Sequence, residues 1–379
     1  MNQPSNIELD LNFVRNQFPS FKDEISKNII FFENAGGSYV PNTVINRLND
    51  FMIKTKVQPY ADFESSKIAG NLMDDGIKLF AEMINADFKE IIMSGSTTMN
   101  MYVLSNALSH NMKPDDEVIV TNQDHEANIG AWRRLSNKGI IIKEWKIDTE
   151  NAELNIEELK NLLTPKTKLV AVTHASNIVG SYNDIKKISE IINNNNSLII
   201  ADGVSYAPHG FPDVKELDVD FYSFSTYKTF GPHLGLLYGK YEILKSLPNQ
   251  NHEFVKDELP NITLNPGGPN HEETACLIGV SEYFDNLYNH HFPGINITKR
   301  AKIEKINQLI SLHEERLSNI LLEYLKTKKN VKIIGKKESL NKNRAPTISF
   351  TINGISSKKA SELLVKEGIA TRNDNFYAW

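Results

Sequence analysis

The sequence predicts an α/β fold: a wound, mostly parallel sheet with covering helices, joined to a smaller α+β unit. Three observations carry this. Short β-branched runs alternate with longer helical patterns, the order expected of strand–helix–strand crossovers. Several of the runs are apolar throughout, as strands covered on both faces must be. The pattern then changes after about residue 265, at the Pro/Gly turn NPGGPN (265–270). The expected division is an N-terminal segment, 1–27, packing with the small domain; a large domain, 28–265; and a linker helix with a C-terminal small domain, 266–379.

Taken in order, strands are expected near NIIFF (28–32), EIIMS (90–94), EVIVT (117–121), IIIKEW (140–145), KLVAVTHA (168–175), SLIIAD (197–202), DFYSFS (220–225) and LGLLYG (234–239). Helical patterns fall between them, as in VINRLNDFMI, MYVLSNALS and IEELKNLL. The run Asn193–Asn196 reads as a loop closing a helix. Beyond the turn, a helix begins at 271, a long charged helix covers about 297–325, and strands VKIIG (331–335) and TISFTI (347–352) precede a helix at 356–368. No internal repeat is visible.

Composition narrows the function classes. The chain has 379 residues, with 42 Lys+Arg against 47 Asp+Glu, so its formal net charge is 42 − 47 = −5. That balance supplies no general drive toward nucleic acid or anionic lipid. With 40% hydrophobic and 23% charged residues, the chain has the make-up of a globular protein. The single cysteine excludes an intramolecular disulfide and a cysteine-built metal site. No signal-peptide core and no apolar run of membrane-spanning length are seen, so a cytoplasmic protein is expected. No G-x-G-x-x-G, P-loop, H-E-x-x-H or G-x-S-x-G pattern occurs in a fitting context. No metal site is expected.

The informative stretch is LIIADGVSYAPHG followed by DVDFYSFSTYKTFGPHLGLLYG. Asp202 ends an apolar strand, which places its carboxylate at the carboxyl edge of the sheet, where open α/β sheets bind ligands. Lys228 follows the next strand, before a turn containing Gly-Pro, and emerges at the same edge. An acid and a lysine at neighbouring strand ends suit a pyridoxal phosphate site. The lysine forms a Schiff base with the aldehyde, and the acid keeps the ring nitrogen protonated, so the ring draws electrons from the substrate's α-carbon. Taken alone, an Asp at a strand end is also a cap, and a lysine before such a turn is also a solvated residue. The accompanying residues decide.

Those residues are FVRNQFPSF (13–21), FFENAGGSYVP (31–41), SGSTTMN (94–100), QDHEANIGAW (123–132), THASNIVGS (173–181), ADGVSYAPH (201–209) and FSTYKTFGPH (224–233). In this order and spacing, the chain resembles the class V aminotransferase family of fold-type I pyridoxal phosphate enzymes, and within it the cysteine desulfurase-like branch. The resemblance runs over nearly the whole chain. It implies that Ser96, Thr97 and Ser225 contact the cofactor's phosphate, Ser96 and Thr97 at a helix start able to hold an anion. It implies that His125 stacks on the ring, that Asn177 lies near the ring oxygen and the substrate carboxylate, that Asp202 pairs with the ring nitrogen and that Lys228 is the Schiff-base lysine. Arg372 matches the arginine that holds the substrate carboxylate, for which a planar fork is the right shape. Relatives are homodimers with the active site near the subunit boundary.

Four departures stand out. Cysteine desulfurases carry a nucleophilic cysteine soon after the arginine, where this chain reads Arg372-Asn-Asp-Asn-Phe-Tyr377-Ala-Trp379. Tyr377 falls about where that cysteine belongs, and the one cysteine, Cys276, reads as a packed helix residue. Ser205 stands where the family places a longer Gln or His near the ring oxygen. Gly268 stands where relatives often have a threonine reaching the neighbour's phosphate, and offers only its backbone N–H. Relatives also continue beyond the position of Trp379 into another helix, so the small domain is expected to be short or incomplete. The activity expected first is amino-group transfer at the α-carbon of a small amino acid. Carbon–sulfur β-elimination and epimerisation use the same electron sink, and a cofactor-binding protein without turnover is the further alternative.

Overall fold

A computed structural model of the chain describes residues 7–340 and 342–378. Trp379, where the sequence stops, and residues 1–6 of the N-terminal segment lie outside the described residues. The strands are β1 (Ile30–Phe31), β2 (Ile91–Ser94), β3 (Glu117–Thr121), β4 (Ile141–Trp145), β5 (Thr167–Thr173), β6 (Leu198–Asp202), β7 (Phe221–Ser225), β8 (Gly235–Gly239), β9 (Val331–Ile334), β10 (Ser349–Ile352) and β11 (Ile369–Ala370).

Seven of them form the main sheet, in the order β2-β8-β7-β6-β5-β3-β4. The pairs β3/β4, β3/β5, β5/β6 and β6/β7 are parallel, whereas β8 runs antiparallel to both β7 and β2. The expected mostly parallel α/β architecture is therefore what the chain adopts. Its apolar runs sort by the two-residue period of a strand. Ile91, Met93, Val170, Val172, Ile199, Ala201, Tyr222 and Phe224 pack into one apolar layer. Their neighbours Ile92, Leu169, Ala171, Ile200 and Phe221 pack into the layer on the opposite face. Strands hidden on both faces need no polar side, which is why they read as continuous hydrophobic runs.

β1 differs from the expectation. It does not join the main sheet but pairs in parallel with β11, Ile30 opposite Ile369 and Phe31 opposite Ala370. Ile30 is 53% exposed, so this strand lacks the two covered faces that a place in the main sheet provides. The pairing ties the start of the chain to its end. β9 and β10 form a separate antiparallel hairpin. The long helices Lys299–Lys326 and His271–His291 lie where the periodicity places them. Cys276, within the second, is fully buried, and its Sγ–H donates to the carbonyl of Glu272 at 2.9 Å.

The site-bearing edge depends on one close approach. Gly235 opens β8 beneath the start of the helix Thr97–Ser109. A Cβ there would lie 2.2 Å from the carbonyl carbon of Ser96 and 2.3 Å from the amide nitrogen of Thr97. Backbone atoms cannot swing aside as a side chain can. Gly235→Ala is expected to cost about 3 kcal/mol, the upper end of ordinary overpacking, read as a lower urea midpoint. An unchanged midpoint would show that the two segments tolerate more separation.

Candidate active site

The parallel strands end at one edge, and the chain departs from each end with a polar residue. β2 leads to Ser96 and Thr97, β3 to Asp124 and His125, β5 to Asn177, β6 ends on Asp202, and β7 ends on Ser225 ahead of Lys228. Carboxyl-edge crevices of this kind are where open α/β sheets bind ligands.

Asp202 and Lys228 are both buried, 3% and 6% exposed. The backbone N–H of Val204 donates to Asp202 Oδ1 at 2.8 Å. The other oxygen, Oδ2, is buried with no hydrogen-bond partner among the described residues. Burial pushes the Asp202 carboxyl up to about 6, against the Val204 hydrogen bond and the pull of the Lys228 charge. Burial likewise brings the Lys228 ammonium down to about 8, against Asp202 and Glu33. Each group resists charging because water is absent, and each partly restores the other's charge.

The phosphate-binding candidates also meet. The hydroxyls of Thr97 and Ser225 are 2.7 Å apart and hydrogen bonded. Ser96 caps the helix Thr97–Ser109, its Oγ accepting from the Met99 amide at 3.1 Å. A helix start presents free N–H groups and a partial positive charge, the surroundings an anion needs. His125 opens a short turn of helix, and its Nδ1 accepts from the Ala127 N–H at 3.0 Å. In the neutral ring, the proton therefore sits on Nε2. Burial, aided by the Lys228 charge, lowers His125 to about 4, so the neutral ring dominates at physiological pH.

The segment after Arg372 crosses this edge. Asn177 Nδ2 donates to the Phe376 carbonyl at 2.8 Å, while Asn177 Oδ1 is buried without a partner. The Phe376 ring centre lies 5.7 Å from Lys228 Nζ and 5.5 Å from the Arg372 guanidinium carbon. The Tyr377 ring lies 5.3 Å from His125, and its carbonyl accepts from the Glu126 N–H. Asp374, Phe376 and Tyr377 all take positive φ (85°, 48° and 62°), a strained backbone for residues with side chains. Arg372 is exposed, and its Nε–H donates to Glu33 at 2.6 Å.

Two candidates stand apart. Ser205 lies partly buried in the turn after β6, with no side-chain hydrogen bond among the described residues. Gly268 is exposed with φ of 80°, in a loop with open space around it. Cys276 is buried in its helix, and its thiol is pushed up to about 12. Among the described residues, no group of three or more His, Cys, Asp or Glu could hold a metal ion, and no helix is long and apolar enough to cross a membrane.

Three acidic or aromatic features escaped the sequence reading. Glu33 lies in FFENAGGS and faces Arg372. Asp124, one residue before His125, is fully buried, accepts from Thr121 Oγ1 at 2.6 Å and Asn128 Nδ2 at 3.0 Å, and is raised to about 8 by burial and by Asp202. His174 is buried against Tyr206 at 3.5 Å, with Nδ1 2.8 Å from the Tyr222 hydroxyl. A carboxylate beside the singled-out His125 was the available signal for Asp124. The other two emerge only from tertiary packing.

These residues fit pyridoxal phosphate. A protonated ring nitrogen needs one buried acceptor, and Asp202 Oδ2 is an orphan of that kind. An aldehyde needs an amine that is not fully protonated, and Lys228 is one. A phosphate needs hydroxyls and free amides, which Ser96, Thr97 and Ser225 provide.

The lowered Lys228 has a consequence for the cofactor-free protein. Unfolded lysine titrates near about 10.4, the folded group at about 8. Between these values the unfolded chain binds the extra proton, so stability rises as pH climbs through that window. Removing the amine should remove this handicap. Cofactor-free Lys228→Met is expected to exceed the wild type by up to roughly 3 kcal/mol at pH 7, with the gap closing toward pH 10.5. Urea unfolding at several pH values measures it, and a pH-independent gap would contradict the burial account.

Comparison with known proteins completes the picture. A family model described as Aminotransferase class-V matches residues 30–256, more than half of the chain. The aminotransferase-like protein FGM3 of Gibberella zeae is 37% identical over 356 residues, which cover 92% of this chain and 83% of that protein. The cysteine desulfurase-like protein ustD of Aspergillus flavus is 32% identical over 358 residues, 92% of this chain and 76% of that one. Among solved structures, a cysteine desulfurase from Thermococcus onnurineus superposes with a TM-score of 0.80 at 21% identity, covering 100% of this chain and 89% of its own. The cysteine desulfurase CsdA of Escherichia coli gives 0.78 at 21% identity, covering 97% and 89%. At such identities the structures speak for the fold, while the family model and the closer sequences speak for descent. Members of this family work with pyridoxal phosphate, and the chain belongs to the aminotransferase class-V family.

Proposed function

We propose that this enzyme transfers the amino group of a small amino acid, with Lys228 as both cofactor-holding and proton-moving residue. The observation that carries this is the pairing of a buried amine of lowered basicity with a buried carboxyl whose Oδ2 has no partner. The absence of cysteine from 372–379 favours transfer over a route through sulfur on the protein. The buried, weakly acidic Cys276 thiol is no substitute for a thiolate nucleophile.

When bound, pyridoxal phosphate supplies an aldehyde that takes up amino groups and a ring that withdraws electrons from the α-carbon. Lys228 Nζ would hold that aldehyde carbon and, as the free amine, would be the group placed to take and return the substrate's α-proton. A pKa near 8 suits both steps near neutral pH. Asp202 Oδ2 would accept a ring N–H and hold that proton in place. Thr97, Ser225 and Ser96, with the adjoining helix start, hold the phosphate. His125, kept neutral and pinned through Nδ1, covers the ring. Arg372 and Asn177 would orient the substrate's carboxylate, while Phe376 would limit water beside Lys228. Ser205 and Gly268 stay outside this set: Ser205 lies in the turn after β6, and the Gly268 N–H is donated to the Asn265 carbonyl at 3.0 Å.

Single amino acids offered with and without a keto acid test the reaction. Pyridoxamine phosphate and a new amino acid are expected. A keto acid with ammonia or sulfide would favour elimination, the chemistry that the desulfurase-like relatives' names suggest. An inverted α-carbon would favour epimerisation. No product despite a visible cofactor would favour binding without turnover.

Lys228→Ala is expected to abolish the borohydride-fixed link between chain and cofactor, read by mass spectrometry. A retained link would mean that another lysine does the work. Asp202→Ala should lower turnover by at least about 100-fold, the scale of a lost transition-state charge contact, while cofactor remains bound. Near-normal turnover would remove Asp202 from the mechanism.

A further inference from the structure

We infer that Glu33 is a positioning residue that presents the outer edge of Arg372 to the substrate's carboxylate, an inference that rests on the proposed role of Arg372. The register of the β1/β11 pair sets this up. Phe31 lies opposite Ala370, so two residues further on the chains bring Glu33 level with Arg372. There Arg372 Nε–H donates to Glu33 Oε1 at 2.6 Å. That bond uses one of the five guanidinium donors. Among the described residues, neither Nη atom has a protein partner, and together they form the fork that fits a carboxylate.

The two ends of the pair are not equally fixed. The Glu33 side chain is 19% exposed, that of Arg372 62%. Glu33 is seated by its own turn: the Gly36 N–H donates to the Glu33 carbonyl at 2.9 Å, and the Glu33 carboxylate fills the space that a Cβ on residue 36 would occupy, 2.0 Å from Oε1. The carboxylate is the more buried pole of the pair, and the guanidinium, the part inferred to be aimed, is the more exposed one. Phe376 adds a flat surface 5.5 Å away, whose other neighbour is Lys228 Nζ. Glu33 also acts on the Lys228 charge, so the aimed fork, the amine and the carboxylate share one neighbourhood. Were Glu33 a gate, it would have to leave for the substrate to bind. With the Nε edge occupied and the Nη edge open, it holds Arg372 throughout.

Two reagents that capture the cofactor's aldehyde carbon separate this from turnover. Aminooxyacetate carries a carboxylate, and methoxyamine does not. In each case the aminooxy nitrogen takes the carbon from Lys228, its two protons pass to Nζ, and the lysine leaves as the free amine. The readout on the holoenzyme is the loss of its visible absorbance band, and the quantity is the ratio of the two rate constants.

The wild type is expected to favour aminooxyacetate, and Arg372→Ala to lose that preference. Glu33→Ala should reduce the ratio at least about ten-fold, the worth of one charge-assisted hydrogen bond. Glu33→Gln, which keeps an acceptor oxygen without the charge, should fall between the two and serves if the alanine variant fails to fold. Gly36→Ala should lower the ratio by displacing the carboxylate while leaving its charge in place. A ratio unchanged or raised in the Glu33 variants overturns the inference, since a gate or a bystander gives those results. A preference that survives Arg372→Ala overturns it as well. Absence of reaction with both reagents in the wild type overturns the proposed function and this inference together, whereas reaction with an unchanged ratio overturns the role of Glu33 alone.

Discussion

One desolvated pair, the Lys228 amine and the Asp202 carboxyl, sets the terms for the rest of the molecule. Ionised groups are costly to bury, and here neither is relieved by a full set of hydrogen bonds. Asp202 keeps one oxygen with no donor. Such an orphan costs folding free energy, and the fold tolerates it only because the surroundings are rigid. β6 and β7 are hydrogen bonded in register, Asp202 opposite Ser223, with apolar layers on both faces. The rigid sheet keeps the two groups from relaxing toward water, and so maintains the amine's low basicity and the carboxyl's need for a donor.

The same sheet explains what the sequence alone conveyed. Strands such as Gly235–Gly239 are buried along their whole length, so they read as unbroken runs with sharp ends. A residue just past a sharp strand end has a defined place, which is why Asp202 and Lys228 stood out. The helix Thr97–Ser109 announced itself through its serine cap. The partner of β1 was not legible. Ile369–Ala370 is only two residues long, partly buried, and its pairing partner lies at the far end of the chain. Glu33 was hidden for the same reason: its meaning comes from Arg372, 339 positions away. His174 owes its interest to burial, which no local pattern in THASN encodes, and Asp124 offered only its place beside His125.

The β1/β11 pair also relates the two parts of the site. Cofactor-facing residues sit on the main sheet, whereas Arg372 follows β11, outside it. A two-stranded ribbon is weak by itself. Additional bonds join the C-terminal segment to the main sheet's edge: Phe376 carbonyl to Asn177, and Tyr377 carbonyl to the Glu126 amide. These contacts hold a segment with three positive-φ residues that would otherwise relax. The residues proposed to orient the substrate and those proposed to face the cofactor thus meet through a strained connection rather than through the core.

That connection also bears on which chemistry the site can run. A sulfur nucleophile has to be exposed and easily ionised, and Cys276 is neither. In its place the segment offers rings: Phe376 beside Lys228 and Arg372, and Tyr377 beside His125. Aromatic rings exclude water and shape a pocket, but they do not accept sulfur. Under the proposed function, Phe376 is the ring placed to limit water beside Lys228, and the buried amine is the group best placed to move the α-proton. The proposed role of Lys228 therefore depends on its burial together with the ring that Phe376 sets 5.7 Å from its amine.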